Sequence, residues 1–281
     1  MQLTPDAAAR RDAFLAAIGQ RPLVMGILNV TPDSFSDGGQ FNTANAALAQ
    51  ADRMAAEGAD SLDIGGESTR PGATPVPEAE ELRRVEPMVA ALAARCTLPI
   101  SIDTSKAAVA RAAIRRGAAI VNDVWGLQKD PAMAHVVAES GAAAVLMHNR
   151  AERDDSVDMQ GDMRRFFDRT LALADAAGVL RARIVLDPGI GFGKSAGQNH
   201  AALAGIAMLI AEYRLPVLVG VSRKSFLGAL LDVGVHGRLI GSIAANLAAA
   251  TYGATIFRVH DVAEHVAALK VFDILRKAEI G

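Results

Sequence analysis

The chain has 281 residues, 51% of them hydrophobic and 21% charged, which is enough apolar material for one large core and excludes a disordered chain. Lysine plus arginine total 29 against 31 acidic residues, a formal charge of −2, so no basic excess points to nucleic acid or to an anionic membrane surface. The single cysteine, Cys96, excludes an internal disulfide and a four-thiolate zinc site and suits a reducing, cytoplasmic compartment; aromatic residues, at 4%, are too few for base-stacking surfaces.

Residues 1–20 carry Asp6, Arg10, Arg11 and Asp12 and no apolar stretch of the kind a signal peptide needs. They read as an N-terminal helical extension of a single domain spanning 1–281. No apolar run is long enough to cross a bilayer. From there one rhythm repeats: a short apolar run, a polar turn, then an alanine-rich stretch. The apolar runs lie at 23–28, 61–64, 100–102, 120–121, 143–147, 184–186, 217–219 and 256–259. Runs without alternation suit strands buried on both faces. The stretches at 43–58, 77–95, 106–116, 133–140, 162–177, 199–213, 238–252 and 262–278 read as helices, several ending in glycine ahead of the next strand (Gly58, Gly117, Gly141, Gly178, Gly253). Parallel strands need a crossover helix. Eight strand-plus-helix units at this length predict an α/β fold, a closed (β/α)8 barrel, with an open doubly wound sheet as the alternative.

Polar residues stand at or just after nearly every strand end: Asn29, Asp63, Asp103, Asn122 with Asp123, His148, Asp187, Ser222 with Arg223 and Lys224, and Arg258 with His260. A barrel opens all of these onto one face. Helix capping can account for Asp103 or Asp123. It does not account for Lys224, Arg258 or His260, because cations are unfavourable at helix N-termini. Positive charge collected there predicts an anionic ligand. The segment DPGIGFGK at 187–194 looks like a phosphate loop, but Pro188 stands where that loop needs glycine, and its glycines follow GxGxG rather than GxGxxG. No histidine pair stands at zinc-peptidase spacing. His135, His200, His236 and His265 read as surface or helix-packing residues.

Seven segments, in order along the chain, then carry a resemblance. MGILNVTPDSFSDGG at 25–39 and DIGGESTRPG at 63–72 resemble the two catalytic loops of the dihydropteroate synthases. SIDT at 101–104, NDV at 122–124, DPGIGFGK at 187–194, SRKSF at 222–226 and RVHDV at 258–262 resemble further motifs of that family. Two places depart from its pattern: Trp125, where a small residue is common, and the Asp- and Arg-rich stretch at 148–163. The resemblance implies a pterin-binding TIM barrel, a transferase of folate biosynthesis that joins a dihydropterin pyrophosphate to 4-aminobenzoate and releases pyrophosphate and dihydropteroate.

Residue by residue, the resemblance implies that Asp187 accepts the side-by-side donors of the pterin edge, as a carboxylate does from guanidinium. Asp103 is a second pterin-binding carboxylate, which stabilises the methylene cation of a dissociative reaction. Asn122 gives the same heterocycle a donor and an acceptor. Met147 and Phe192 flank the ring, and Lys224 donates to it. Arg258 and His260 bind the pyrophosphate, with the backbone of Val259 between them. Asn29 is the magnesium ligand, joined through water by Asp33 and Asp37. Ser225, at a helix start, faces the carboxylate of 4-aminobenzoate. Phe35 in the first loop and Thr69, Arg70 and Pro71 in the second close over that substrate, and Arg70 also helps the pyrophosphate to leave. Sulfonamides, which imitate 4-aminobenzoate, are then expected to bind only once the pterin site is filled. The resemblance also implies a homodimer through 238–252 and 262–278. Two rivals remain at this point: a pterin-dependent methyltransferase acting on methyltetrahydrofolate, and a non-catalytic pterin-binding paralogue.

Overall fold

The computed structural model describes residues 1–30, 40–67 and 74–278, apart from the side chains of 40–43. Its frame is one sheet of eight parallel strands: β1 (Leu23–Asn29), β2 (Ser61–Gly65), β3 (Ile100–Asp103), β4 (Ile120–Asp123), β5 (Ala143–Met147), β6 (Ile184–Asp187), β7 (Leu218–Val219) and β8 (Ile256–Val259). They neighbour one another in the order β6-β5-β4-β3-β2-β1-β8-β7. A bridge between Leu186 and Val217 joins the two ends of that order and closes the barrel expected from the apolar runs.

The surrounding helices are α1 (Pro5–Ala17), α2 (Gln40–Ala56), α3 (Glu78–Arg95), α4 (Ala107–Arg115), α5 (Met133–Ser140), α6 (Met159–Ala177), α7 (Ala196–Ala204), α8 (Ile206–Tyr213), α9 (Ser225–Leu231), α10 (Leu239–Thr251) and α11 (Val262–Ala278). Helices α5 and α6 stop at Gly141 and Gly178, whose φ angles of +72° and +84° suit glycine. The stretch read as one helix at 199–213 is two. It breaks at Gly205, where a Cβ would lie 2.7 Å from Met163 Cε of α6. Among the described residues no helix is long and apolar enough to cross a membrane.

Strand side chains alternate between two cores. Outward-facing Val24, Leu62, Ile102, Val121, Leu146 and Phe257 pack beneath the helices. Inward-facing Leu23, Met25, Ile120, Val145, Val185, Leu218 and Ile256 fill the lower barrel, sealed from below by Ala7 and Phe14 of α1. The N-terminal extension is therefore a plug. Pro5 opens α1, the Thr4 hydroxyl caps it by accepting from Ala7 N at 3.2 Å, and Arg10 Nη1 donates to the Ala93 carbonyl at 3.2 Å. Among the described residues the cleft opens at the C-terminal ends of the strands.

Candidate active site

The inward rows turn polar as they reach that open end. Two residues beyond Ser101, Ile120, Val185 and Ile256 stand Asp103, Asn122, Asp187 and Arg258. Strand register places Asp103 opposite Asn122 and Met147 opposite Asp187. The result is a cleft of about 320 Å³ lined by Asp103, Asn122, Val124, Met147, Asp187, Ile190, Phe192, Gly220, Lys224 and Arg258. Seven of the residues singled out in the sequence thus share one cavity.

At its floor Arg258 holds two carboxylates. Its Nε donates to Asp63 Oδ2 at 2.6 Å and its Nη2 to Asp103 Oδ2 at 2.8 Å. Asn122 Nδ2 donates to the same Asp63 oxygen at 2.9 Å. Burial opposes the Arg258 charge, yet Asp63 and Asp103 outweigh it and hold the guanidinium above its ordinary pKa. Burial lifts the Asp103 carboxyl to about 7; Arg258 pulls it back and Asp63 pushes it further. Among the described residues Asp63 Oδ1 and Asp103 Oδ1 are buried without a hydrogen-bond partner. The capping role open to Asp103 is filled elsewhere: the first amide of α4, at Ala107, donates to Asp130 Oδ2 at 2.8 Å. Asp123 caps no helix; its carboxylate closes the turn that follows β4, accepting from Trp125 N at 2.9 Å and Leu127 N at 2.7 Å.

The wall beside the floor is the 187–194 segment. Asp187 Oδ1 accepts from Gly189 N at 2.7 Å, and burial raises its carboxyl, with that amide and Lys224 opposing. Lys224 lies along this segment. A Cβ on Gly191 would come within 2.9 Å of Lys224 Cδ, and Lys224 Nζ sits 4.0 Å from the centroid of the Phe192 ring. Burial lowers Lys224 to about 8, against the pull of Asp187. Lys194 is buried behind the wall, with Nζ donating to the carbonyls of Gly189 (2.7 Å), Phe192 (3.2 Å) and His148 (3.4 Å). His148 in turn is buried and has Nε2 3.2 Å from Asp162 Oδ2, so the variant 148–163 stretch folds back onto its own first histidine.

At the β8 tip, His260 Nδ1 lies 3.0 Å from Ser222 Oγ, and His260 N donates to the same hydroxyl at 3.1 Å. Arg223, with φ +57°, pairs with Asp261 and so fixes the turn that precedes Lys224. The side chain of Val259 faces the outer core, leaving only its backbone toward the open end. Lys224 occupies the N-cap of α9 without a side-chain cap bond, and Ser225 is its exposed first residue. Asn29 ends β1 half-buried, and a Cβ on Gly65 would lie 3.4 Å from its Oδ1. Beside β2, Lys106 binds both Glu67 and the buried Glu81, while Glu67 Oε1 accepts from Val76 N at 3.2 Å. Asp33, Phe35, Asp37, Thr69, Arg70 and Pro71, expected to act on the loops, lie outside the described residues.

Two residues of this centre were not singled out as ligand contacts by sequence reasoning, Asp63 and Lys194. The signal for Asp63 is a carboxylate inside an apolar strand run, which must find a partner where it is buried.

Comparison with known proteins follows the same residues. The pterin binding enzyme family matches residues 25–260. The dihydropteroate synthase of Escherichia coli K12 is 45% identical over 264 residues, covering 92% of this chain and 93% of that one. Two solved structures superpose on the barrel. The enzyme of Clostridium difficile, solved in the presence of pteroic acid, has a TM-score of 0.89 at 45% identity and covers 92% of this chain and 98% of its own. That of Xanthomonas albilineans, solved with 4-aminobenzoic acid, has a TM-score of 0.87 at 47% identity, with 91% and 93% covered.

Proposed function

We infer the working of the cleft from one premise: the chain belongs to the pterin-binding enzyme family and, within it, to the dihydropteroate synthases, transferases of folate biosynthesis that join (7,8-dihydropterin-6-yl)methyl diphosphate to 4-aminobenzoate and release diphosphate. The observation that carries the assignment of roles is the meeting of Asp103, Asn122, Asp187, Lys224 and Arg258 in one cavity that Met147 and Phe192 also line.

The dihydropterin ring lies between Met147 and Phe192. Asp187 accepts from its ring N–H and amine, Asn122 reads the adjoining edge, and Lys224 donates to the ring carbonyl. The methylene diphosphate points toward β8 and β1. There Arg258, with three of its five N–H groups beyond those on Asp63 and Asp103, and His260, steadied by Ser222, receive the phosphate oxygens together with the Val259 backbone. Asn29 suits a magnesium ion: its uncharged hard oxygen stands at a strand tip beside Gly65, where the missing Cβ leaves room. Asn29 would hold such an ion, which would supply neutralisation of the leaving-group charge. The C–O bond breaks first, and the electron-rich pterin spreads the methylene cation. Asp103 then serves as a carboxylate, since a cation beside it reverses the burial effect that lifts its pKa. The amine of 4-aminobenzoate attacks, and its carboxylate is received near the exposed Ser225. Phe35, Thr69, Arg70 and Pro71 complete this second pocket.

Diphosphate release tests the reading. It is expected only when both substrates are present, and release from either alone, or none from both, overturns it. Asn29→Ala is expected to weaken the pterin diphosphate about 10- to 100-fold, the loss of one polar contact to a charged group. The pterin alcohol, which carries no phosphate, should bind as before in the same calorimeter, and equal losses refute the metal role.

The assembly we propose is a homodimer through α9, α10 and α11. These neighbouring helices, with Leu231 Cδ1 2.8 Å from where a Gly241 Cβ would stand, expose Ile240 at 78%, Leu230 at 66% and Leu275 at 61%. Large apolar side chains exposed on neighbouring helices support an interface there. Light scattering at micromolar concentration should give twice the chain mass, and Ile240→Glu should give monomers; a monomeric native protein contradicts the interface. The single cysteine, buried at the end of α3, is in keeping with a cytoplasmic setting for the reaction.

A further inference from the structure

We propose that Lys194 is a positioning residue for pterin recognition, its ammonium tying together two neighbouring loops, after β5 and β6, that both line the cleft. The inference rests on reading that cleft as the pterin site. Lys194 does not line the cavity. Its Nζ donates to three backbone carbonyls: Gly189 at 2.7 Å and Phe192 at 3.2 Å on the β6 loop, and His148 at 3.4 Å at the end of β5. An ammonium has three donors, so each is used. Phe192 and Met147, the residue before His148, both line the cleft. The tie therefore fixes Met147 and Phe192 relative to one another where a flat ring packs on them.

The backbone around it is built for that contact. A Cβ on Gly189 would lie 1.8 Å from the His148 carbonyl oxygen, and one on Gly193 would lie 2.7 Å from Arg150 O. The two loops thus meet main chain to main chain. Three carbonyl oxygens pointing at one place repel one another, and the ammonium turns that repulsion into a joint. The arrangement resembles the way a cation is held by carbonyls alone, with Asp187 contributing charge attraction from nearby. Burial lowers Lys194 to about 7, with Asp187 opposing, so the joint holds its charge most fully below neutral pH.

The test compares Lys194→Met, which keeps the length and removes every donor, with the native enzyme. Calorimetry with the pterin alcohol should show at least about tenfold weaker binding, from the loss of charge-assisted bonds that hold the walls. In the assay, KM for the pterin diphosphate should rise by the same factor. At saturating pterin, kcat and KM for 4-aminobenzoate should stay within about twofold, because Ser225, the described residue placed in that pocket, is not among the hydrogen-bond partners of the Lys194 ammonium. Gly189→Ala, which wedges the same joint apart with the lysine intact, should reproduce the split. Unchanged pterin affinity in Lys194→Met, or an equal rise of both KM values, overturns the proposal. If the methionine variant fails to fold, Lys194→Gln, which keeps a donor, is judged by the same split. Failure of the native enzyme to bind the pterin alcohol instead refutes the reading of the cleft.

Discussion

Replacing Arg258 by methionine is expected to lower the thermal midpoint by about 10 °C and kcat by about 10²- to 10³-fold. The first figure follows from what the guanidinium leaves behind. Asp63 is fully buried and Asp103 nearly so, and Arg258 is the cation bonded to both. Removing one partner of a buried ion pair costs about 3–5 kcal/mol, and each kcal/mol moves the midpoint of a chain this large by about 2–4 °C. The second figure is what loss of one donor aimed at developing charge does to a rate. The stability deficit should depend on pH. A carboxyl whose folded pKa lies above its unfolded value of about 4 stabilises the fold fully below that value and progressively less as pH rises through the folded one. Asp103 already sits at about 7 with Arg258 present. Calorimetry should therefore find the variant's deficit small near pH 5 and large near pH 8. Adding Asp63→Asn should recover part of the stability and none of the rate. A deficit equal at both pH values contradicts this account of the floor.

Asp187→Asn is expected to do the opposite to stability. The carboxylate lies at the cleft wall, and its raised pKa means that the fold holds its charge at a disadvantage. Asparagine keeps the volume and can still accept from Gly189 N. It can no longer take two donors as an anion. Two charge-assisted hydrogen bonds are worth about 3–5 kcal/mol together, so pterin affinity should fall about 10²- to 10³-fold. The thermal midpoint should stay level or rise, as where a site trades stability for binding. An affinity loss of less than about tenfold in calorimetry removes Asp187 from pterin recognition.

The barrel is legible in the sequence because strands buried on both faces leave uninterrupted apolar runs, and eight of them recur with helices between. The break at Gly205 is not legible, and the contact that requires a glycine there comes from Met163, on a helix about forty positions away. The site is legible in its cast and less so in its pairings. Sequence shows Arg258 as a cation at a strand tip, available to an anion. It does not show that carboxylates 195 and 155 positions earlier in the chain take two of its donors. Asp63 reads as one more strand-end polar residue until the fold turns it inward. Lys194 reads as the tail of a failed phosphate loop, because its partners are carbonyls, which leave no mark in a sequence.

The barrel's joint between β6 and β7 is its least knitted. Strand β7 is two residues long, and it meets β6 through the single bridge of Leu186 with Val217, supported by Leu186 N donating to the Pro216 carbonyl at 2.9 Å. β1 and β2, by contrast, run in register for five residues. Amide hydrogens along 217–219 should thus exchange with solvent soonest among the strands. Asp187 stands on one side of this seam, and Gly220 and Lys224 on the other. A pterin gripped from both sides acts as a hoop around the staves: it closes by ligand contact the circumference that the backbone closes only thinly. With the pterin site as proposed, substrate occupancy is expected to slow exchange of the amides along 217–219, so that the ring would be stiffest when its chemistry needs fixed geometry.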